Sequence, residues 1–350
     1  MEYQEISPNF ASDFFKLVTQ TNNIVITAHE APDEDSIASC LSVFDLLSTK
    51  FPEKNLRIIY SSDPDPKYEV FKNYDKIEFV ADLADYLGNT DLLIMLDGGN
   101  FSRFSQKTER LKSVPQTICI DHHCSPIDKF TLSLVAPRYP SCVEIIFRSL
   151  FTGLAIDKPL AEMFLLGILG DTGNFTYLKP HQTETLTLVQ KFLEISQIEI
   201  QEFQSRYQTI SKREFGIIQE LIKNTQYSSA KNWPDFQFSF IERNYLADNH
   251  FTDIETSEAG YLYSTEYIRR IKGNTWGFVV IPKNNGDVYI SCRSLPKSVN
   301  VRDLMERMGI GGGHDRASGG TFPKRDQSLD VAHCIERTLA WFKANSPVLS

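Results

Sequence analysis

Acidic and imidazole side chains gather in four short segments of this chain: His29 with Asp33 and Asp35; Asp97 with Asn100 and Arg103; the run Asp121-His122-His123; and Asp171-Thr172-Gly173. Carboxylate oxygens mixed with imidazole nitrogens, and no thiolate among them, suit Mn²⁺, Mg²⁺ or Fe²⁺ better than thiophilic metals. So many ligands exceed what one tetrahedral zinc takes. They fit two divalent ions sharing a bridging carboxylate, a site suited to in-line attack on phosphorus. Asp33 and Asp35 are two residues apart and would point to opposite sides of an extended backbone, a spacing that serves two ions better than it chelates one.

Taken singly, each piece has a plainer reading. An Asp-Thr-Gly is ordinarily a turn, a His-His pair is ordinarily surface or hydrogen-bonded core, and an Asp-x-Asp before a helix is often an N-cap favoured by the helix dipole. The elements that must position them argue for the conjunction. Asn23–Ala28 (NIVITA) reads as a buried strand ending just before His29, with a helix over 36–50 behind it on the apolar spacing of Ile37, Leu41, Phe44 and Leu47. Strands are expected at 56–61, 91–97 and 116–121, the last two ending on aspartates. Apolar strands separated by helices indicate a parallel sheet covered on both faces, whose sites lie at the carboxyl ends of its strands. The first three segments would therefore converge. Helices at about 141–154, 159–169 and 183–195 follow, the second ending beside Asp171.

Residues 199–228 read as a polar, helical connector without a strand. Beyond it strands are expected at 237–242, 275–282 and 286–293, the last two joined by an Asn-Asn-Gly turn, then helices at 301–308 and 329–343. The fold class is α/β: an N-terminal parallel-sheet domain over 1–198, a connector over 199–228 and a smaller α/β domain over 229–350, with a cleft between the domains.

The chain has 350 residues, 41% hydrophobic and 23% charged, which excludes a disordered chain, a collagen and a coiled coil. A net charge of −9 argues against bulk duplex-DNA binding, where phosphate neutralisation supplies most of the affinity, but leaves room for a small phosphorylated substrate. No apolar run reaches membrane-span length, no basic flank leads an apolar N-terminus, and the six cysteines form no Cys-x-x-Cys pair. A cytoplasmic protein with reduced thiols is expected, Cys124 and Cys142 acting in packing.

In combination these motifs resemble the DHH phosphoesterases. His29 to Ser39 is similar to that family's first motif, Asp97, Asn100 and Arg103 to its second, Asp121-His122-His123 to its third and Asp171-Thr172-Gly173 to its fourth. The C-terminal part resembles the DHH-associated domain through Ser291-Cys292-Arg293-Ser294, Gly311-Gly312-Gly313-His314 and Ala317-Ser318-Gly319. The resemblance implies two divalent ions, usually manganese: His29, Asp33 and Asp97 on one, and Asp35, Asp97, His122 and Asp171 on the other, with Asp97 bridging. It implies hydroxide attack on phosphorus, with His123 at the phosphoryl oxygen or leaving group and Asp121 orienting an imidazole. Arg103 would contact substrate, and Arg293, the Gly311–Gly313 backbone and His314 would grip its non-scissile end. Two departures stand out. Glu34 replaces the usual glycine and is expected to face solvent, and Ser36 replaces the usual alanine; Asp315 adds a negative charge where a phosphate would lie.

Size and architecture look most like the stand-alone nano-RNase/pAp phosphatases, which implies short single-stranded oligonucleotides or a 3′,5′-bisphosphate nucleotide (pAp) as substrate, with neither long duplex DNA nor a membrane as partner. A homodimer is compatible with this. The alternatives are a phosphodiesterase for cyclic dinucleotides or pApA, and a non-catalytic nucleotide sensor; the sensor would be expected to have lost ligands, yet all six metal-ligand positions are present.

Overall fold

The computed structural model describes residues 6–30, 33–123, 127–207, 209–324 and 329–349. The chain divides into two compact units, Met1–Gln208 and Thr209–Ser350.

The first unit holds six strands, β1 (Asn23–Ala28), β2 (Asn55–Tyr60), β3 (Ile77–Phe79), β4 (Leu92–Leu96), β5 (Gln116–Asp121) and β6 (Leu132–Val135). They form one sheet in the order β3-β2-β1-β4-β5-β6, with every neighbouring pair parallel. Its helices are α1 (Phe10–Gln20), α2 (Glu34–Lys50), α3 (Thr108–Lys112), α4 (Cys142–Leu150), α5 (Lys158–Asp171), α6 (Glu184–Ser196) and α7 (Ile200–Tyr207). The central strands are apolar throughout because successive residues enter different cores. Ile24, Ile26, Leu92, Ile94, Leu96, Ile118 and Ile120 meet α1, α2, α4, α5 and α6 on one face. Val25, Ile59, Leu93 and Met95 meet Leu83, Phe101, Phe104 and Leu111 on the other.

Three helix starts are set by their caps. Asp33 accepts from Ser36 N–H while the Ser36 hydroxyl returns a bond to the Asp33 backbone; Ser141 caps α4 and Asp157 caps α5. Helix α2 thus begins at Glu34, two residues before the apolar periodicity suggests, so Asp33 and Asp35 lie in a cap and a helical turn rather than in extended backbone.

The second unit contains α8 (Lys212–Lys223), β7 (Gln226–Ser228), β8 (Phe236–Phe240), α9 (Arg243–Asp248), α10 (Asp253–Glu266), β9 (Trp276–Pro282), β10 (Val288–Ser294), α11 (Val301–Met308), β11 (Gly311–His314), β12 (Ala317–Phe322) and α12 (Val331–Ala344). Its sheet runs β11-β12-β10-β9-β8-β7. Trp276, Phe278 and Val280 of β9 pack towards α11 and α12, whereas Val279 and Ile281 pack under α8, α9 and α10. Residues 199–228 divide between the units: α7 belongs to the first, and α8, with Ile217, Ile218 and Leu221 in a core, to the second. That stretch also contains the short strand β7, a departure from the strand-free reading. The glycine run is an edge strand rather than a loop. The five described cysteines are free and buried, and Cys124 lies outside the described residues. Among the described residues, no helix is long and apolar enough to cross a membrane.

Candidate metal centre

Strands β1, β4 and β5 are neighbours and run the same way, so the chain leaves all three at one edge of the sheet. The order of strands reverses at β1, with β2 on one side and β4 on the other, which makes the crevice beyond β1 and β4 the topological switch point of the sheet. His29 leaves β1 there and Asp97 leaves β4; Asp121 ends β5, followed by His122 and His123. The N-terminal end of α2 supplies Asp33 and Asp35, and the C-terminal end of α5 supplies Asp171.

Asp97 is central. It is buried, and its φ of 57° lies in the left-handed region that costs a non-glycine residue about 1 kcal/mol or more. Its backbone N–H donates to the Ile120 carbonyl at 2.9 Å, fixing the turn against β5. Oδ2 lies 3.2 Å from His29 Nε2, and Oδ1 lies 3.4 Å from both His122 Nε2 and His123 Nδ1. Burial alone would raise this carboxyl, but the surrounding imidazoles hold it well below the usual carboxylate range.

Around it three groups of possible ligand atoms form, each within 4.8 Å: His29, Asp33 and Asp97; Asp35, His122 and Asp171; and Asp97, Asp121 and His123. Among the described residues, Asp97 Oδ1, Asp121 Oδ2 and Asp171 Oδ2 are buried without a hydrogen-bond donor. His122 Nε2 approaches Asp171 Oδ2 to 2.9 Å and Asp35 Oδ2 to 4.0 Å. His29 Nδ1 meets the Glu30 carbonyl at 2.8 Å, which in the Nδ1–H tautomer leaves the Nε2 lone pair facing Asp97 and, at 3.6 Å, Asp33. Lone pairs facing lone pairs in a buried site require a cation. Without a metal, a proton fills that role: burial and Arg103 lower the His29 pKa, but Asp33 and Asp97 prevail and push it up to about 10. The donor set and its orphaned oxygens fit divalent cations.

The aspartates hold their places through backbone chemistry. Asp33 divides its carboxylate, Oδ1 accepting from Ser36 N–H at 2.9 Å as the helix cap and Oδ2 facing His29. Asp35 is fully buried and accepts the first N–H groups of α4, from Cys142 at 2.6 Å and from Val143 at 2.9 Å. The positive end of that helix supports a carboxylate, although burial, then Asp171 and Asp97, raises its pKa well above normal. This contact was not anticipated; the signal was Ser141, a capping residue ahead of an apolar run. The Asp121 Oδ1 accepts from His122 N–H at 2.8 Å and His123 N–H at 3.1 Å and meets His123 Nδ1 at 2.7 Å, so it fixes the His123 ring.

Arg103 ends a 3-10 turn after β4; its carbonyl accepts the Glu30 N–H at 2.8 Å, tying the second motif to the first. Glu34 is half-buried rather than turned wholly to solvent. Its side chain lies against Gly170, where an added Cβ would come within 2.5 Å of Glu34 Cβ, and its Oε1 is 3.5 Å from Lys67 Nζ.

In the second unit Arg293 lies on β10 and His314 on β11, each paired with Ala317 of β12, so they stand abreast on one face, two strand spacings or about 9.5 Å apart. Asp315 is 2.9 Å from an Arg302 guanidinium nitrogen, which offsets the charge expected to oppose a phosphate. The glycines also have a structural reason: a Cβ on Gly311 would lie 2.0 Å from the Gly319 carbonyl oxygen, whereas Gly312 meets nothing closer than 3.9 Å.

The family description "DHH family, N-terminal domain" matches residues 23–168, and "DHHA1 domain" matches residues 250–342. The chain is a DHH–DHHA1 protein. This DHH–DHHA1 chain is 25% identical over 335 residues to the bifunctional oligoribonuclease and PAP phosphatase NrnA of Bacillus subtilis, a match covering 93% of this chain and 97% of that protein. It is 25% identical over 316 residues to the cyclic-di-AMP phosphodiesterase PdeA of Listeria monocytogenes, covering 85% of this chain but 44% of that longer protein. An exopolyphosphatase-related protein from Bacteroides fragilis has the same fold, with a TM-score of 0.79 at 21% identity over 97% of this chain and 98% of that one.

Proposed function

We propose that this protein is a metal-dependent phosphoesterase that hydrolyses short single-stranded oligonucleotides and the bisphosphate nucleotide pAp. The observation that carries the reading is the Asp97 carboxylate, held in a left-handed turn among His29, His122 and His123, with no hydrogen-bond donor on Oδ1 among the described residues. Full-length likeness to a protein named for both activities supports the substrate class.

His29, Asp33 and Asp97 would hold one divalent ion, and Asp35, Asp97, His122 and Asp171 a second; manganese suits this oxygen-and-imidazole set. When bound, such a pair supplies charge neutralisation at the phosphoryl group and a nucleophile at neutral pH. The residues supply the rest. Asp97 would serve both positions, and the α4 N-terminus keeps Asp35 from rotating away. Asp121 orients His123, whose imidazole would hydrogen-bond the phosphoryl oxygen or protonate the leaving group. Arg103 would add a cation for the substrate's phosphates. Arg293, His314 and the glycine strand would bind the non-scissile end; Arg293 is 8% exposed and, among the described residues, its guanidinium meets the Ser291 hydroxyl, the Cys292 carbonyl and the Tyr261 ring but no carboxylate. A buried cation without a counter-ion calls for an anionic ligand.

The test is a substrate panel offered to Mn²⁺-loaded protein: pAp, dinucleotides, five- to ten-mers, cyclic dinucleotides and pyrophosphate. Highest kcat/KM on pAp and the shortest RNAs supports the reading. Preference for cyclic dinucleotides or pApA replaces it with the phosphodiesterase alternative, and no turnover of any of them overturns it.

A further inference from the structure

Glu34 stands between two proposed ligands, Asp33 and Asp35, in the first turn of α2, and no part of the proposed chemistry uses it. Its surroundings are specific. Gly167 and Gly170, three residues apart, share one face of α5, and both meet that turn. A Cβ on Gly167 would come within 2.9 Å of Asp35 Oδ1, and one on Gly170 within 2.5 Å of Glu34 Cβ. Helix α2 therefore rests on α5 through Asp35 and Glu34, and the Glu34 contact falls one residue before Asp171, where α5 ends.

The far end of the Glu34 side chain is held from a third element. Its Oε1 lies 3.5 Å from Lys67 Nζ, which is also 3.3 Å from Asp65 Oδ2. Lys67 belongs to a 3-10 turn, Pro66–Tyr68, in the connection after β2. Because β2 lies beside β1 and parallel to it, this connection leaves the same sheet edge as His29. The turn has a firm base. Asp65 caps it, accepting Lys67 N–H at 3.0 Å, and the Tyr74 hydroxyl donates to the Asp65 carbonyl at 2.8 Å. Tyr68 is buried in the core that also holds the apolar face of α2, and the Lys67 ammonium lies 4.8 Å from the centre of its ring. The Glu34 and Lys67 side chains are only 28% and 22% exposed, so water screens this pair in part.

We propose that Glu34 is a positioning residue for the second ion, the one assigned to Asp35, Asp97, His122 and Asp171, and that Lys67 holds it in that role. Asp33 is pinned inside α2 by its cap bonds with Ser36, so the first ion's share of this helix does not depend on how α2 crosses α5. The spacing of Asp35 and Asp171 does depend on it, since one lies on each helix. Seated on Gly170 and tied to Lys67, Glu34 keeps those two carboxylates at one separation. A glycine in its place, as is usual in this motif, makes neither contact. The inference rests on the two-ion reading above and deepens it by naming what sets the affinity of one ion. A mere background charge behaves differently: removing an anion near a dication weakens its binding, and removing a cation strengthens it. A clamp needs both partners, so either loss weakens the ion.

The experiment titrates the metal-stripped full chain with Mn²⁺, following free Mn²⁺ by electron paramagnetic resonance, for wild type, Glu34→Gln, Lys67→Met, the double variant and Lys67→Arg. Asp171→Asn, which removes a ligand of the second ion alone, marks the binding step that belongs to that ion. The clamp predicts that Glu34→Gln and Lys67→Met each raise the dissociation constant of this step about tenfold and leave the other step unchanged. It also predicts that the double variant is no worse than either single one, and that Lys67→Arg restores binding. Opposite signs for the two single variants, no change in either, or equal weakening of both steps overturns the positioning role and leaves the two-ion centre in place. A wild-type chain that binds fewer than two ions overturns the two-ion reading and this inference with it.

Discussion

Asp97 combines a left-handed backbone with a buried carboxylate shared among three imidazoles. Asparagine tolerates left-handed φ well, so Asp97→Asn keeps the turn while replacing the anion with an amide that bridges two cations poorly. We expect turnover of pAp to fall about a hundredfold or more, with bound Mn²⁺ reduced and the circular-dichroism spectrum unchanged; normal metal content with near-wild-type turnover would contradict the bridging role. His123→Ala should behave differently, retaining metal but losing rate, because Asp121 holds its ring and the proposed ligand sets for the two ions do not include it. Metal analysis beside kcat separates the two variants. The chemistry-bearing residues were legible because carboxylates and imidazoles follow strand ends. What could not be read was how each is held. That Asp33 would cap α2 with one oxygen and face His29 with the other depends on where the helix starts, and that Glu34 would lie against Gly170 depends on a crossing of α2 with α5 that no local pattern encodes.

That crossing brings α2, α4 and α5 together behind the metal centre, and glycine permits it. A Cβ on Gly167 of α5 would fall 2.7 Å from Val143 Cγ1 and 2.9 Å from Asp35 Oδ1. Gly167→Ala should therefore destabilise the protein by about 1–3 kcal/mol and weaken Mn²⁺ binding by displacing Asp35. Gly216 lies inside α8 with nothing within 4 Å of the added carbon, so Gly216→Ala should stabilise by about 0.5–1 kcal/mol. Denaturant unfolding of the two variants should give shifts of opposite sign, and the same sign in both would contradict this packing. Strands β1, β4 and β5 were readable as continuous apolar runs because both faces are buried. The strands β3 and β6 were not, since three or four residues at sheet edges carry too little pattern. Helix α1 does carry a helical stripe in Phe10, Phe14 and Val18, whereas α10 has a small, mixed buried face of Thr256, Ala259, Gly260, Tyr263 and Ser264 that offers no clear period. The glycine run became a strand by pairing with β12 across a tight hairpin, although glycine's own propensity disfavours strands.

At the scale of the whole chain, every ligand assigned to the ions belongs to the first unit, and each unit has its own cores. Ion binding should stabilise the first unit alone, by about 2.7 kcal/mol with free Mn²⁺ at roughly a hundredfold its dissociation constant. Calorimetry with and without EDTA should move the transition of that unit and leave the transition of the other in place; an equal shift of both would contradict a centre confined to the first unit. The most direct measurement is a titration of metal-stripped protein with Mn²⁺ under tight-binding conditions, following phosphate release from pAp. The account predicts negligible release without metal and a rate that rises to saturation at two equivalents per chain. Full release in excess EDTA, or saturation at a single equivalent, would contradict it.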